Sequence, residues 1–209
     1  MFKKILKWVF IIAGIGFLSF VGYVIAVLYA FGVFDRDYNR QDLIEHYESR
    51  TAEIKNLKAY YESIVPANKT VKIEFDGNRE LGIFHILSKD SLTGKSIQNS
   101  NWDLKIKSPK VDSMIASLGW SQETLKTLKL KLDEADCISV TNSSPFNIGF
   151  QRSGMGMYFY NLFDQPIPDS LVATYNDGYT YVLYTDRVVL EYGGGAVGPQ
   201  CFPGLKYQN

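Results

Sequence analysis

Residues 8–34 read WVFIIAGIGFLSFVGYVIAVLYAFGVF, a run of 27 residues without a charge. As an α-helix this run would be roughly 40 Å long. The hydrocarbon core of a bilayer is about 30 Å thick, so the helix can cross it with some tilt. A cleaved signal peptide usually has a shorter apolar region that ends in small residues. We therefore expect residues 8–34 to form a retained transmembrane anchor in contact with the lipid bilayer.

The charges that flank this span predict its orientation. Three lysines precede the span, and two arginines, Arg36 and Arg40, follow it closely. The side of a span that is richer in lysine and arginine usually stays in the cytoplasm. The sequence therefore predicts a short cytoplasmic stub at residues 1–7 and one extracytoplasmic domain at residues 35–209.

The composition of residues 35–209 limits the classes of partner. These 175 residues are enough for a single domain with its own core. All 22 acidic residues of the chain lie in this part, whereas three of the 22 basic residues precede the span, so its net charge is −3. Nucleic-acid binding needs a clustered basic surface, so we expect no nucleic-acid partner.

The first half of the domain combines helices with strands. Asn39 is expected to cap a long helix that ends before Pro66. The alternating stretches TVKIEFD and ELGIFHIL predict two strands joined at the hairpin signal Asp76-Gly77. Residues 88–101 resemble a polar loop.

The second half begins with two short helices and is then rich in β-strand. Ser108 and Ser121 are suitable caps for a mid-chain helical pair. From Cys137 onward, short runs of β-branched and aromatic residues alternate with turn signals. We therefore expect an α+β fold: one N-terminal transmembrane helix, then a mainly antiparallel sheet with a long N-terminal helix and the mid-chain pair.

Familiar cofactor motifs are incomplete in this sequence. The stretch LTGKS at residues 92–96 lacks the first glycine of a phosphate-binding loop, because position 89 is lysine. The glycines at 193–195 are followed too soon by a proline to open a dinucleotide-binding helix. His46 and His85 have no paired metal-ligand spacing. We expect no cofactor and no metal, and we assign no catalytic residue.

Two catalytic alternatives remain open at this stage. Asp76, Glu80, Asp186 and Glu191 lie at or near strand ends, where two converging carboxylates would support hydrolysis by acid–base catalysis. Cys201 would need a base or positive surroundings to form a nucleophilic thiolate. The balance of these patterns favours a protein that is not an enzyme.

The two cysteines, Cys137 and Cys201, are a candidate disulfide. Disulfides persist outside the cytoplasm, where we expect this domain to lie. Closing the loop between them would stabilise the fold by roughly 4 kcal/mol. Two buried thiols that never meet are the alternative.

Two stretches carry a resemblance: LGWSQETLKTLKLKLDEADCISV at residues 118–140 and YGGGAVGPQCF at residues 192–202. In these the chain resembles uncharacterised envelope proteins of Gram-negative bacteria that have an N-terminal anchor. The resemblance covers most of residues 40–203 and implies a location at the inner membrane with the domain outside it. It implies no activity and no site.

These expectations lead to a functional hypothesis. The chain is expected to be a membrane-tethered extracytoplasmic binding or interaction module, with an envelope protein as a candidate partner. An extracytoplasmic hydrolase that uses strand-end carboxylates or the Cys201 region is the alternative. A homodimer is a further alternative. Gly22, Ala26 and Ala30 form a ridge of small residues along the span, and such a ridge lets two helices pack closely.

Overall fold

A computed structural model describes residues 2–89, 96–194 and 198–205, with side chains for all of these except 2–7, 9 and 89. In chain order its elements are α1 (Phe2–Ala30), α2 (Arg40–Ser49), α3 (Thr51–Ile64), β1 (Lys69–Asp76), β2 (Glu80–Lys89), β3 (Ser96–Lys105), α4 (Pro109–Ser117), α5 (Gln122–Glu134), β4 (Ser139–Thr141), β5 (Phe146–Ser153), β6 (Gly156–Leu162), α6 (Asp169–Tyr175), β7 (Tyr181–Thr185) and β8 (Val188–Gly193).

The eight strands form one sheet in the order β3-β2-β1-β4-β5-β6-β8-β7. Every recorded strand pair is antiparallel. The expectation of an α+β fold with an antiparallel sheet and a mid-chain helical pair is therefore confirmed.

Strand β1 shows how the sheet is divided into two faces. Val71, Ile73 and Phe75 are buried in the apolar core together with residues of the helices. Because side chains alternate along a strand, Lys72 and Glu74 point to the opposite face. The sheet therefore has an apolar face that packs on the helices and a second face that carries charges.

The helix that begins at Arg40 is shorter than the sequence predicts. Asn39 caps it as expected, with a reciprocal capping box to Asp42. The helix is broken at Arg50, which has φ −120° and ψ 17° and separates α2 from α3. The expected single long helix is thus wrong in detail, because the backbone leaves helical geometry at Arg50 and a second helix begins at Thr51.

Helix α1 contains the apolar run, although its bounds differ from residues 8–34. It ends at Ala30, and residues 31–34 form a turn. The segment Phe10–Ala30 has a mean hydropathy of 2.5, and none of its residues is buried in the rest of the chain. By length and composition this segment suits a single-pass membrane anchor, and a signal sequence has the same properties.

The turn that follows α1 is packed closely against the hairpin between β5 and β6. A Cβ atom at Gly32 would overlap the Cα of Gly154, so the two backbones approach as closely as glycine permits. The Gly154 N–H donates to Asp35 Oδ2 at 3.1 Å. The Ser153 hydroxyl donates to the carboxylate of Asp37. These contacts connect the apolar helix directly to the domain.

The expected polar loop at residues 88–101 is mostly strand. Strand β2 continues to Lys89, and β3 begins at Ser96 and pairs with β2 along its whole length. Residues 90–95 lie outside the described residues. Polar side chains are compatible with β3 because it is an edge strand whose outer side faces solvent.

We predict that Gly149→Ala destabilises the domain by about 1–3 kcal/mol, because an added methyl group overpacks a filled space. A Cβ atom at Gly149 would overlap the Ser139 hydroxyl and the Met157 methyl group. Urea unfolding of the full chain in detergent micelles measures the change in the free energy of unfolding. Gly82→Ala is the matched control, because the nearest atom to its Cβ lies at 3.4 Å. Equal stability of the two variants would contradict the packing described for Gly149.

Candidate functional site

A cleft of about 970 Å³ lies on the second face of the sheet and extends to the end of α1. Its walls come from β1, β2 and β3 on one side and from the β5–β6 hairpin on the other. It is lined by Ala30, Asp35, Lys72, Glu74, Phe75, Asp76, Gly77, Gly82, Ile83, His85, Trp102, Asp103, Ile138, Gln151, Arg152, Gly154 and Met155. The name "cleft" refers to this set of residues below.

The sheet register explains why charged groups collect on this face. Glu74 pairs with Ser139, Ser139 with Gly149, Gly149 with Phe159, and Phe159 with Glu191. Paired residues in adjacent strands project on the same side, so these five form a row across the second face. The row has a carboxylate at each end and small or apolar residues between them.

Glu74 is held by an ion pair with Arg152. The Arg152 Nε donates to Glu74 Oε1 at 2.6 Å. The Glu74 side chain is only 4% exposed, whereas that of Arg152 is 39% exposed. Among the described residues, none gives a hydrogen bond to the buried Glu74 Oε2. One oxygen of this carboxylate therefore positions the arginine, and the other is unsatisfied.

Lys72 adds a second cation to the same part of the cleft. Burial lowers its pKa, and the carboxylates of Glu74 and Glu191 oppose that shift. Its Nζ lies 5.8 Å from the centre of the Phe159 ring, within range of a cation–π interaction. Lys72 is thus partly desolvated on the floor of the cleft.

His85 and Trp102 form the wall on the β2 and β3 side. Their rings meet edge to face with centroids 4.7 Å apart. Burial lowers the pKa of His85, and the neighbouring charge of Lys72 lowers it further. The buried His85 Nε2 has no hydrogen-bond partner among the described residues. Trp102 is 58% exposed, so most of its ring is available to a ligand.

Carboxylates are in excess around the cleft. Asp35, Asp76 and Asp103 line it together with Glu74, against the two cations Lys72 and Arg152. Asp76 and Asp103 are both exposed. The rim of the cleft is therefore acidic, whereas its floor carries cations.

The structure does not gather the four strand-end carboxylates into one site. Asp76 and Glu80 are paired residues at the β1–β2 hairpin, and Asp186 lies in the turn between β7 and β8. Glu191 lies four strand spacings from β1, or roughly 19 Å at about 4.8 Å per spacing. Burial raises the pKa of Glu191, and the Asn161 amide donates to its Oε2 at 2.7 Å.

The two cysteines are free thiols, so the candidate disulfide between Cys137 and Cys201 is not formed. Cys137 leads into β4, whereas the neighbour of Cys201, Gln200, donates its N–H to Tyr192 in β8. Two strands, β5 and β6, separate β4 from β8.

His46 belongs to a separate polar cluster on the helical side. The Tyr160 hydroxyl donates to the Leu43 carbonyl at 3.0 Å, so the 2.8 Å contact with His46 Nδ1 requires the proton on that nitrogen. His46 Nε2 lies 3.7 Å from Asp136 Oδ2. Burial lowers the pKa of His46, while Asp136 opposes that shift. The contacts tie α2 to β6 and give His46 a structural role.

Metal-ligating side chains are not clustered among the residues that the structure describes. Within residues 2–89, 96–194 and 198–205, no group of three histidine, cysteine or acidic residues is suited to a metal ion. Residues 92–95 of the LTGKS stretch and Gly195 lie outside the described residues.

Comparison with known proteins gives no match, since no family model, no curated protein and no solved structure corresponds to this chain. The functional argument therefore depends on the cleft alone.

Sequence reasoning missed the central residues of this cleft. Lys72 and Glu74 have the alternate spacing that is typical of a solvent-facing strand surface. Arg152 lies 78 residues from Glu74, and no local pattern connects them. One signal could have indicated a second, partly buried face: charged residues alternate with apolar residues along β1.

We predict that Arg152→Gln destabilises the domain by about 1–3 kcal/mol, because it leaves the buried Glu74 carboxylate unpaired. The cost is reduced from that of a fully buried pair because Arg152 is 39% exposed. The double variant Glu74→Gln, Arg152→Gln removes both charges and is expected to be more stable than Arg152→Gln alone. Urea unfolding measures the free energies, and a double variant no more stable than the single would contradict the role of the buried charge.

We predict that mass spectrometry of the non-reduced chain finds both cysteines as free thiols. Alkylation of the native protein is expected to label Cys201 well before Cys137, because burial raises the pKa of the Cys137 thiol. Labelling in denaturant, where both thiols are accessible, is the control. A peptide linked through Cys137 and Cys201 would overturn this arrangement.

Proposed function

We propose that this chain is a membrane-tethered binding module that holds its ligand in the cleft. The observation that carries the proposal is the position of the cleft, whose wall includes Ala30 at the end of the apolar helix. A ligand bound there lies at the base of the domain, beside the point where the chain leaves the helix. Binding and tethering are therefore parts of one arrangement.

The anchor in this proposal is α1. The segment Phe10–Ala30 exposes an apolar surface along its whole length, and such a surface is stable in a bilayer. The lysines that precede it favour a cytoplasmic amino terminus, with residues 35–209 outside the inner membrane of a bacterial envelope.

The chemistry of the cleft favours binding over catalysis. Among the described residues that line it there is no serine, threonine or cysteine to act as a nucleophile. Its most buried carboxylate, Glu74, is engaged by Arg152 rather than by a second carboxylate. Concave sites with a few fixed charged groups and an aromatic wall are typical of ligand recognition.

We predict that a photo-crosslinking amino acid at position 102 forms an adduct in intact membranes. Trp102 is 58% exposed at the cleft, and Leu130 on α5 is 53% exposed, so position 130 is a matched control away from the cleft. Mass spectrometry of the purified full chain identifies the adduct. We expect modification from position 102 and little from position 130.

Protease treatment of spheroplasts tests the tether in the same cells. The domain at residues 35–209 is expected to be digested from outside while the membrane is intact. A protected domain, or equal adduct yields from positions 102 and 130, would contradict the proposed function.

A further inference from the structure

We propose that the cleft binds the head group of a zwitterionic phospholipid that carries a phosphate and a primary ammonium group. The inference rests on the proposed function, because it takes the cleft to be a ligand site beside a membrane. It adds the chemical class of the ligand and the residues that recognise each half of it.

The position of the cleft favours a ligand from the bilayer. Ala30 closes one side of the cleft, so the cleft begins where the apolar helix ends. Met155 at the tip of the β5–β6 hairpin lines the same side and is 44% exposed. When α1 spans a bilayer, these residues lie at the level of the lipid head groups.

The phosphate fits the cationic floor. Arg152 uses its Nε for Glu74, and among the described residues neither Nη group has a hydrogen-bond acceptor. An arginine held in this way presents its remaining N–H groups as a fork that matches two phosphate oxygens. Lys72 lines the same floor and supplies a second positive charge.

The ammonium group fits the acidic rim. Asp76 and Asp103 are exposed carboxylates at the cleft, and carboxylates outnumber cations among its described lining residues. The open ring of Trp102 lies beside them and can bind a cation over its face. A purely anionic head group would meet these carboxylates without a compensating charge.

A buried carboxylate oxygen also points to a ligand with hydrogen-bond donors. Glu74 and His85 line the cleft, and neither Glu74 Oε2 nor His85 Nε2, which accepts or donates according to its tautomer, has a partner among the described residues. An unsatisfied buried acceptor costs free energy that a donor would recover. A primary ammonium group only donates hydrogen bonds, whereas a quaternary ammonium group has none to give.

The test uses the full chain in nanodiscs of phosphatidylcholine that contain either phosphatidylethanolamine or phosphatidylglycerol. Native mass spectrometry then counts the lipids that stay bound after release from the nanodisc. We expect phosphatidylethanolamine to be retained in preference to both other lipids. Equal retention of the three lipids, or preference for phosphatidylglycerol, would overturn the proposal.

Two variants test the recognition of the phosphate and of the ammonium group separately. Arg152→Gln is expected to reduce retention by about ten-fold or more, the effect of losing charge-assisted hydrogen bonds. The double variant Asp76→Asn, Asp103→Asn keeps Arg152 and is expected to lose the preference for phosphatidylethanolamine over phosphatidylglycerol. It also keeps the proposal testable if Arg152→Gln does not fold.

The matched control is Glu123→Gln, Glu134→Gln, which removes two exposed carboxylates from α5. It changes the net charge equally but lies outside the cleft, so the lipid preference should persist. A loss of preference in this control would show that overall charge, rather than the rim of the cleft, selects the lipid.

The soluble head group glycerophosphoethanolamine distinguishes a lipid from a free ligand. Calorimetry measures its affinity for the full chain. We expect this affinity to be lower than that of the lipid, because the soluble head group lacks contact with the membrane. An affinity equal to that of the lipid would contradict the lipid source. Adducts from position 102 that contain protein but no lipid would overturn this inference and leave the proposed function intact. The absence of both adducts and lipid retention would contradict both.

Discussion

Strand β1 has to bury alternate side chains against the helices, and that constraint decides what its remaining side chains can do. In β1 the apolar set is Val71, Ile73 and Phe75, which leaves Lys72 and Glu74 on the other face. A one-residue slip of register would move both charges into the core and the apolar side chains out of it. The charged face is therefore specified by the same pattern that specifies the core.

The second face is stable because its charges are paired across the sheet. Glu74 would be a costly buried anion without Arg152, and the desolvated Lys72 is balanced by carboxylates on β1 and β8. Such networks are expensive to assemble and costly to disrupt. The pairing also holds Arg152 by its Nε, and among the described residues no acceptor engages its two Nη groups.

Much of the architecture could be predicted from local chemistry. The caps at Asn39, Ser108 and Ser121 and the turn at Gly77 follow from short-range hydrogen bonds and backbone preferences, and each is present. The break at exposed Arg50 was not predicted, because helix propensity in this stretch favours a continuous helix.

The site was far less predictable than the fold. It depends on the strand order, which places β1 beside β4 although β2, β3, α4 and α5 lie between them in sequence. Glu74 and Arg152 meet only because of that order, and strand order has no local signal. The candidate disulfide between Cys137 and Cys201, which are free thiols, depended likewise on tertiary placement that no local pattern gives.

The contact between Gly32 and Gly154 has a mechanical consequence. A flexible linker would let the domain swivel relative to α1, whereas two glycines in backbone contact, joined by the Asp35 hydrogen bond, restrict that swivel. The direction in which the cleft opens is then set by the tilt and rotation of α1. Any molecule that turned this helix about its axis would turn the mouth of the cleft with it.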